Sequence, residues 1–173
     1  MKPIPSIIAI FTLSAFLASA APPSADQVLT DAKAKAAAEH KAIFLHFGAS
    51  WCGWCKKLDA FLDRQDIKPV FEKYFVPVKL VVQENEKNKA LENPGADKLM
   101  TQLGGPSGLP YSAFLNPEGA LMVNSKRDGE NIGYPAKAEE IDWFVEMMKK
   151  AAPKMEERDL KTIESALRAS KPT

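Results

Sequence analysis

Two cysteines spaced Cys-x-x-Cys stand just behind a short apolar run, and this juxtaposition constrains the chain more than any other feature. Ala42-Ile43-Phe44-Leu45-His46-Phe47 is rich in aromatic and branched residues and reads as a strand buried on both faces, ending at Gly48. Trp51-Cys52-Gly53-Trp54-Cys55 follows, and from Cys52 to about Arg64 the residues Cys55, Leu58, Phe61 and Leu62 recur at helical spacing. Strand, tight turn and helix start in that order place the first sulfur beside unpaired backbone donors and the second one turn further in. The helix dipole favours a thiolate at Cys52, which is expected to be the exposed, attacking sulfur. Cys55, further from solvent, suits the resolving role, attacking the mixed disulfide formed on Cys52. Lys56 and Lys57 either support anionic sulfur or form an ordinary solvated helix face.

Other uses of the pair fare worse. Covalent haem attachment wants a His after the second Cys, and position 56 is Lys. A zinc or copper site needs further soft ligands, and with two Cys and two His in 173 residues only His46 is an obvious recruit. A purely structural disulfide across so short a loop gives little entropic stabilisation. Redox activity is the favoured reading; a non-catalytic binding module with locked or vestigial thiols and a thiol-based metal carrier are the alternatives. Twenty-three basic against 22 acidic side chains leave no surplus to collect on phosphates, so nucleic acid is not an expected partner. With 46% hydrophobic and 26% charged residues, neither a disordered chain nor a polytopic membrane protein fits.

The first twenty residues read as an address. A lone Lys2, the apolar run Ile7 to Leu17 and Ala18-Ser19-Ala20 before Ala21-Pro22-Pro23 have the layout of a cleavable secretory signal, with cleavage expected after Ala20. The run falls well short of the roughly 20 apolar residues of a membrane anchor. The mature chain, 21–173, is therefore expected to be one secreted or periplasmic domain, monomeric and without a membrane anchor, working in an oxidising compartment.

Ser24-Ala25-Asp26-Gln27 is a capping-box pattern opening a helix to about Glu39, with Val28, Leu29, Ala32 and Ala36 on one face. Asp66 is expected to cap a short helix through Phe71 and Tyr74. Phe75 to Val82 reads as a strand whose Pro77 argues for a sheet edge, and Gln83 to Asn93 as a polar loop. Ala96 to Leu103 fits one or two helical turns before the breakers Gly104-Gly105-Pro106-Ser107-Gly108. Tyr111–Leu115 and Leu121–Asn124 flank the turn sequence Asn116-Pro117-Glu118-Gly119 and make a hairpin. Ile141, Phe144, Val145 and Met148 mark one amphipathic helix, and Leu160, Ile163 and Leu167 another, before a tail from Ser170 to Thr173 that should fray. The order of elements predicts an α/β fold with a mixed central sheet of about four strands.

The segment from Phe47 to Lys56 resembles the active-site segment of the thioredoxin family, and Gly108-Leu109-Pro110 is similar to that family's cis-proline loop before a hairpin. The thioredoxin pattern can be laid over about 24–152, with a helix over about 155–169 as an addition. The resemblance implies a thiol-disulfide oxidoreductase that needs no dissociable cofactor because the Cys52-Cys55 pair is itself the redox group. It also implies that Trp51, Gly53, Trp54, Leu109 and Pro110 border the substrate, with Pro110 cis and facing the sulfurs and the Leu109 backbone presented to an extended segment. Protein thiols and disulfides would be the substrates. The family analogy leans towards the reductase direction, for which a membrane thiol reductase would donate electrons. Departures from the pattern matter. His46 stands where the family's reductases carry a buried acid, and either replaces it as a general base or is a core histidine hydrogen-bonded elsewhere. Lys79 falls where thioredoxins often have a Lys beside that acid, which makes it a second candidate for proton transfer. Trp54 replaces the usual Pro between the thiols, and the Pro that kinks the helix is absent.

Overall fold

A computed structural model describes residues 21–105 and 108–170. The expected signal segment and the last three residues of the expected fraying tail lie outside the described residues.

Helix α1 spans Ala25–Glu39, with Ser24 as its N-cap accepting from the Gln27 backbone N–H. Strand β1 (Ala42–Gly48) follows, then α2 (Gly53–Leu62), α3 (Lys68–Glu72) and β2 (Phe75–Val81). A 3₁₀ segment (Glu86–Leu91) and α4 (Ala96–Gln102) lead to the hairpin β3 (Tyr111–Leu115) and β4 (Leu121–Asn124). A small ribbon, β5 (Lys126–Arg127) and β6 (Glu130–Asn131), precedes α5 (Ala138–Ala151) and α6 (Glu157–Ala169).

The main sheet has four strands in the order β2-β1-β3-β4, the mixed α/β arrangement read from the sequence. β1 runs parallel to β2 and antiparallel to β3. β2 therefore lies at the edge, where the missing N–H of Pro77 is tolerated.

β1 is buried at every position, yet its two faces serve different cores. Phe44 joins Leu58, Phe71, Phe114 and Phe144 on the side of α2, α3, α5 and α6, whereas Ile43, Leu45 and Phe47 pack with Ala32, Ala36 and Met100 on the side of α1 and α4. The period-2 alternation of a strand thus sorts a run that looks uniform in sequence. It also sends His46 and Gly48 to the Phe44 side, towards α2. The added helix α6 docks into this same core through Leu160, Ile163 and Leu167.

Some expectations need correction. Asp66 does not cap α3: Ile67 is the N-cap without a side-chain bond, and the Asp66 carboxylate instead accepts from Arg64 Nε at 2.9 Å and Nη2 at 2.6 Å. Tyr74 lies beyond that helix, and α2 stops at Leu62 rather than near Arg64. The polar stretch after β2 contains the 3₁₀ segment. The β5–β6 ribbon was not expected, although its turn, Asp128-Gly129, has both residues at positive φ, 53° and 89°, the backbone that Asp-Gly pairs favour in tight hairpins.

Candidate active site

Cys52 is the N-cap of α2 and its Sγ accepts from the Cys55 backbone N–H at 3.1 Å. The two sulfurs are joined in a disulfide, with Cα atoms 5.3 Å apart. Cys52 is only 4% exposed against 0% for Cys55, so the expectation of an openly exposed first sulfur does not hold. Ala49 and Leu109 pack around the pair and cover it. Gly48 allows α2 to start this close to the sheet: a Cβ there would stand 3.2 Å from Cys55 Cβ and 3.3 Å from its Sγ. Gly53 is not required in this way, since a Cβ would meet nothing within 4 Å.

The two tryptophans are the exposed large apolar groups nearest the disulfide, Trp51 at 55% and Trp54 at 44%. Trp51 Nε1 donates to the Gln83 carbonyl at 2.8 Å. Trp54 stacks on Tyr134, and the Lys57 ammonium lies 4.5 Å from the indole centroid, so Lys57 is more than a solvated face. The Leu109-Pro110 peptide bond is cis. Asn131 on β6 fixes this loop by donating from Nδ2 to the carbonyls of Gly108 at 2.9 Å and Pro110 at 3.0 Å. Trp54, Leu109, Ile132, Gly133, Tyr134 and Ala136 border an open groove of about 320 Å³ beside the disulfide.

His46 and Lys79 are opposite one another in the register of β1 and β2 and both reach Asp59 of α2. His46 Nε2 lies 2.9 Å from Asp59 Oδ1, and a carboxylate can only accept, so Nε2 carries the proton. Lys79 Nζ donates to Asp59 Oδ2. Burial works to raise the Asp59 pKa, but hydrogen bonds and charge from His46 and Lys79 outweigh it and hold the carboxyl below its ordinary value. His46 Nδ1 is buried with no hydrogen-bond partner.

Sequence reasoning missed three contributors. Asp59 left a signal: with Cys55, Leu58 and Leu62 it falls within an i, i+3, i+4, i+7 stripe, so an acid sits on the buried face of α2. Tyr134 left none. Glu84 was hidden in a polar stretch, yet it is buried and accepts from Ser50 N at 2.5 Å and Ser50 Oγ at 2.7 Å, tying the loop before Cys52 to the chain after β2. Among the described residues no group of three or more His, Cys, Asp and Glu side chains is gathered to hold a metal, and no helix is long and apolar enough to cross a membrane.

A four-stranded mixed sheet with a Cys-x-x-Cys disulfide at a helix start, opposite a proline loop, defines a thioredoxin-like architecture. The family model described as thioredoxin-like matches residues 25–117, more than half of the chain, and the chain belongs to that family. Among solved structures it is similar to a disulphide isomerase from Xylella fastidiosa Temecula1, at 23% identity over 92% of this chain and 96% of that one, with a TM-score of 0.50. It is also similar to the C-terminal domain of Neisseria meningitidis DsbD in the oxidised form, at 17% identity over 74% and 99% of the two chains, TM-score 0.48. A thioredoxin from Thermus thermophilus matches at 16% identity over 76% and 87%, TM-score 0.46. No curated protein matches the chain.

Proposed function

We propose that this protein is a thiol-disulfide oxidoreductase that exchanges disulfides with protein substrates in a secreted or periplasmic setting. The observation that carries this is the Cys52–Cys55 disulfide at the start of α2, packed against Leu109 and bordered by an open groove. Cys52 is the nucleophile, because it caps the helix where backbone donors stabilise a thiolate. Cys55, fully buried, resolves the mixed disulfide: its thiolate attacks Cys52 Sγ, the Cys52–substrate bond breaks, and the electron pair leaves on the substrate sulfur. Trp51, Gly53, Trp54, Leu109 and Pro110 form the border on which an extended substrate segment lies, with an apolar side chain of that segment in the groove beside Trp54. The pair itself is the redox group and no dissociable cofactor takes part. The reductase direction, with a membrane thiol reductase supplying electrons, is the favoured one. Of the two roles open to His46, its bond to Asp59 favours the anchored core histidine, with Lys79, which donates to the same carboxylate, kept as the proton-handling group.

Turnover tests this reading. Catalytic amounts of the protein should accelerate reduction of a protein disulfide by dithiothreitol. Cys55→Ser should accumulate mixed disulfides through Cys52, whereas Cys52→Ser should trap nothing. Absence of turnover together with retained partner binding would instead establish the binding module, and equal trapping by both variants would overturn the assignment of roles.

A further inference from the structure

We propose that the β5–β6 ribbon and the start of α5 form a second, acidic half of the substrate groove, which selects protein segments carrying a lysine or arginine a few residues from the reacting cysteine. This rests on the reading of Cys52–Cys55 as a redox-active pair and adds a substrate class to it. The apolar groove beside the disulfide, bordered by Trp54, Leu109 and Tyr134, adjoins a second open groove of about 480 Å³, and Ile132, Lys137 and Glu140 line both. The second groove is tied to the proline loop. Asn131, part of its lining, donates to the carbonyls of Gly108 at 2.9 Å and Pro110 at 3.0 Å, on either side of Leu109. A segment that fills the apolar groove therefore meets the second groove at Ile132, on one side of its cysteine.

Four carboxylates, Asp128, Glu130, Glu139 and Glu140, line the second groove against two cations, Arg127 and Lys137. Both cations already have partners. Arg127 Nε lies 3.6 Å from Asp128 Oδ2 and its Nη1 donates to the Glu139 carbonyl at 2.7 Å, while Lys137 Nζ lies 3.7 Å from Glu140 Oε1. The amide end of α5, which repels a cation, is answered from within, since Glu140 Oε2 accepts from Ala136 N at 3.0 Å and Lys137 N at 2.9 Å. Glu130 and Glu139 are left over: both are exposed, and neither carboxylate has a hydrogen bond or ion pair among the described residues. The other acids of α5 are paired, Glu140 with Lys137, Asp142 with Arg168 and Glu146 with Lys149. Two unanswered negative charges beside an apolar site complement an ammonium or guanidinium and disfavour a substrate carboxylate.

The test mixes the oxidised protein with an excess of a peptide bearing one cysteine and a neighbouring leucine. Two peptide thiols supply two electrons and two protons. The first attacks Cys52 Sγ and breaks the Cys52–Cys55 bond, the second attacks the mixed disulfide, and a peptide disulfide and the protein dithiol result. Tryptophan fluorescence gives the rate of the first step. That rate is divided by the rate of the same peptide with oxidised glutathione, because a charge near a thiol alters its own reactivity. Arg, Gln or Glu is placed in turn at each of about six positions on either side of the cysteine, a reach of about 20 Å in an extended chain. On one side Arg should react about threefold faster than Gln, and Glu about threefold slower, within the range of exposed ion pairs. Glu130→Gln with Glu139→Gln should remove both differences, as should about 1 M salt, where the screening length falls to about 3 Å. Glu146→Gln, further along α5 and outside the groove, should keep the wild-type preference.

Rates that ignore charge at every position would overturn the proposal, and so would an Arg preference that persists undiminished in the double variant. Both side chains are exposed and unpaired, so their replacement leaves the fold in place. A wild-type protein that reacts with none of the peptides would overturn the functional reading instead. Binding of the same peptides with serine in place of cysteine, followed by tryptophan fluorescence, would then still decide the charge preference: tighter binding of the Arg peptide than of the Gln peptide supports it, and equal binding refutes it.

Discussion

Trp54 stacks on Tyr134 with ring centroids 5.8 Å apart and planes 17° from parallel, joining the active-site helix to the segment that follows β6. The pair forms one wall of the groove beside the disulfide, and an aromatic pair of this kind contributes about 0.5–1.5 kcal/mol beyond its buried area. Tyr134→Ala should therefore raise the KM for a protein disulfide by roughly three- to tenfold, the range that interaction covers. Exchange with dithiothreitol, which is too small to use the groove, should stay unchanged, and Tyr134→Phe should behave as wild type. An equal loss with both substrates would remove the groove from substrate binding.

Glu84 holds the loop before the first cysteine through the backbone and hydroxyl of Ser50, and Asn88 Nδ2 adds a third bond to Ser50 Oγ at 3.0 Å. Truncation leaves a part-buried N–H without its acceptor, a loss towards the lower end of the about 1–3 kcal/mol that a fully buried group would cost. Glu84→Ala should lower the denaturation free energy by about 1 kcal/mol, read from the denaturant midpoint at unchanged slope. Glu84→Gln, which keeps an acceptor, should recover more than half of the loss. Alanine and glutamine variants of equal stability would show that the contact does not support the loop.

The fold was legible where period and punctuation agree: the apolar β1, the Pro77 edge, the hairpin around Asn116-Pro117-Glu118-Gly119, and the two final amphipathic helices. The cysteines were legible because two thiols at a helix start leave few alternatives. What escaped reading depends on tertiary approach. Asp66 looks like a cap, but Arg64 offers its carboxylate a two-point charged partner that outcompetes backbone donors. Leu109, more than fifty positions away, packs against the cluster of Ala49 and the two cysteines, so the burial of Cys52 could not be inferred from a helix start alone. Glu84 is a buried carboxylate and Asp59 a part-buried one, tolerable there only once partners arrive from other elements.

Asp159 anchors the added helix. Its carboxylate accepts from Lys73 Nζ and Tyr74 Oη, each at 2.8 Å, and these bonds hold its pKa below the ordinary carboxylate value. A carboxyl depressed in the folded state contributes stability that is present above its unfolded value of about 3.9 and is lost as pH falls through the folded value. Asp159→Asn should therefore be less stable than wild type at pH 7, and the difference should shrink below pH about 4 until the two curves meet. Thermal unfolding across pH measures this. A gap that persists undiminished at the acid end would mean that the carboxylate charge is not what ties α6 to the Lys73–Tyr74 corner.

His46 is the residue for which sequence left two roles open, and the two make different kinetic predictions. With Nε2 committed to Asp59, the lone pair available to accept a proton from Cys55 would be that of Nδ1, which is buried and unpartnered. As the anchor of Asp59, His46 needs only a donor at the Nε2 position, which the amide of Gln supplies at a similar reach. His46→Gln should then resolve the Cys52 mixed disulfide at a rate within about twofold of wild type, with an unchanged profile over pH about 6 to 8, the interval around the reference histidine value. His46→Leu removes the donor, leaves Asp59 to Lys79 alone, and should raise the Asp59 pKa towards its ordinary value, as followed by carboxyl NMR shifts. Stopped-flow tryptophan fluorescence, reporting through Trp51 and Trp54 beside the disulfide, gives the resolution rate. A flattened pH profile in His46→Gln, with stability retained, would make the imidazole the proton acceptor and displace the anchoring role.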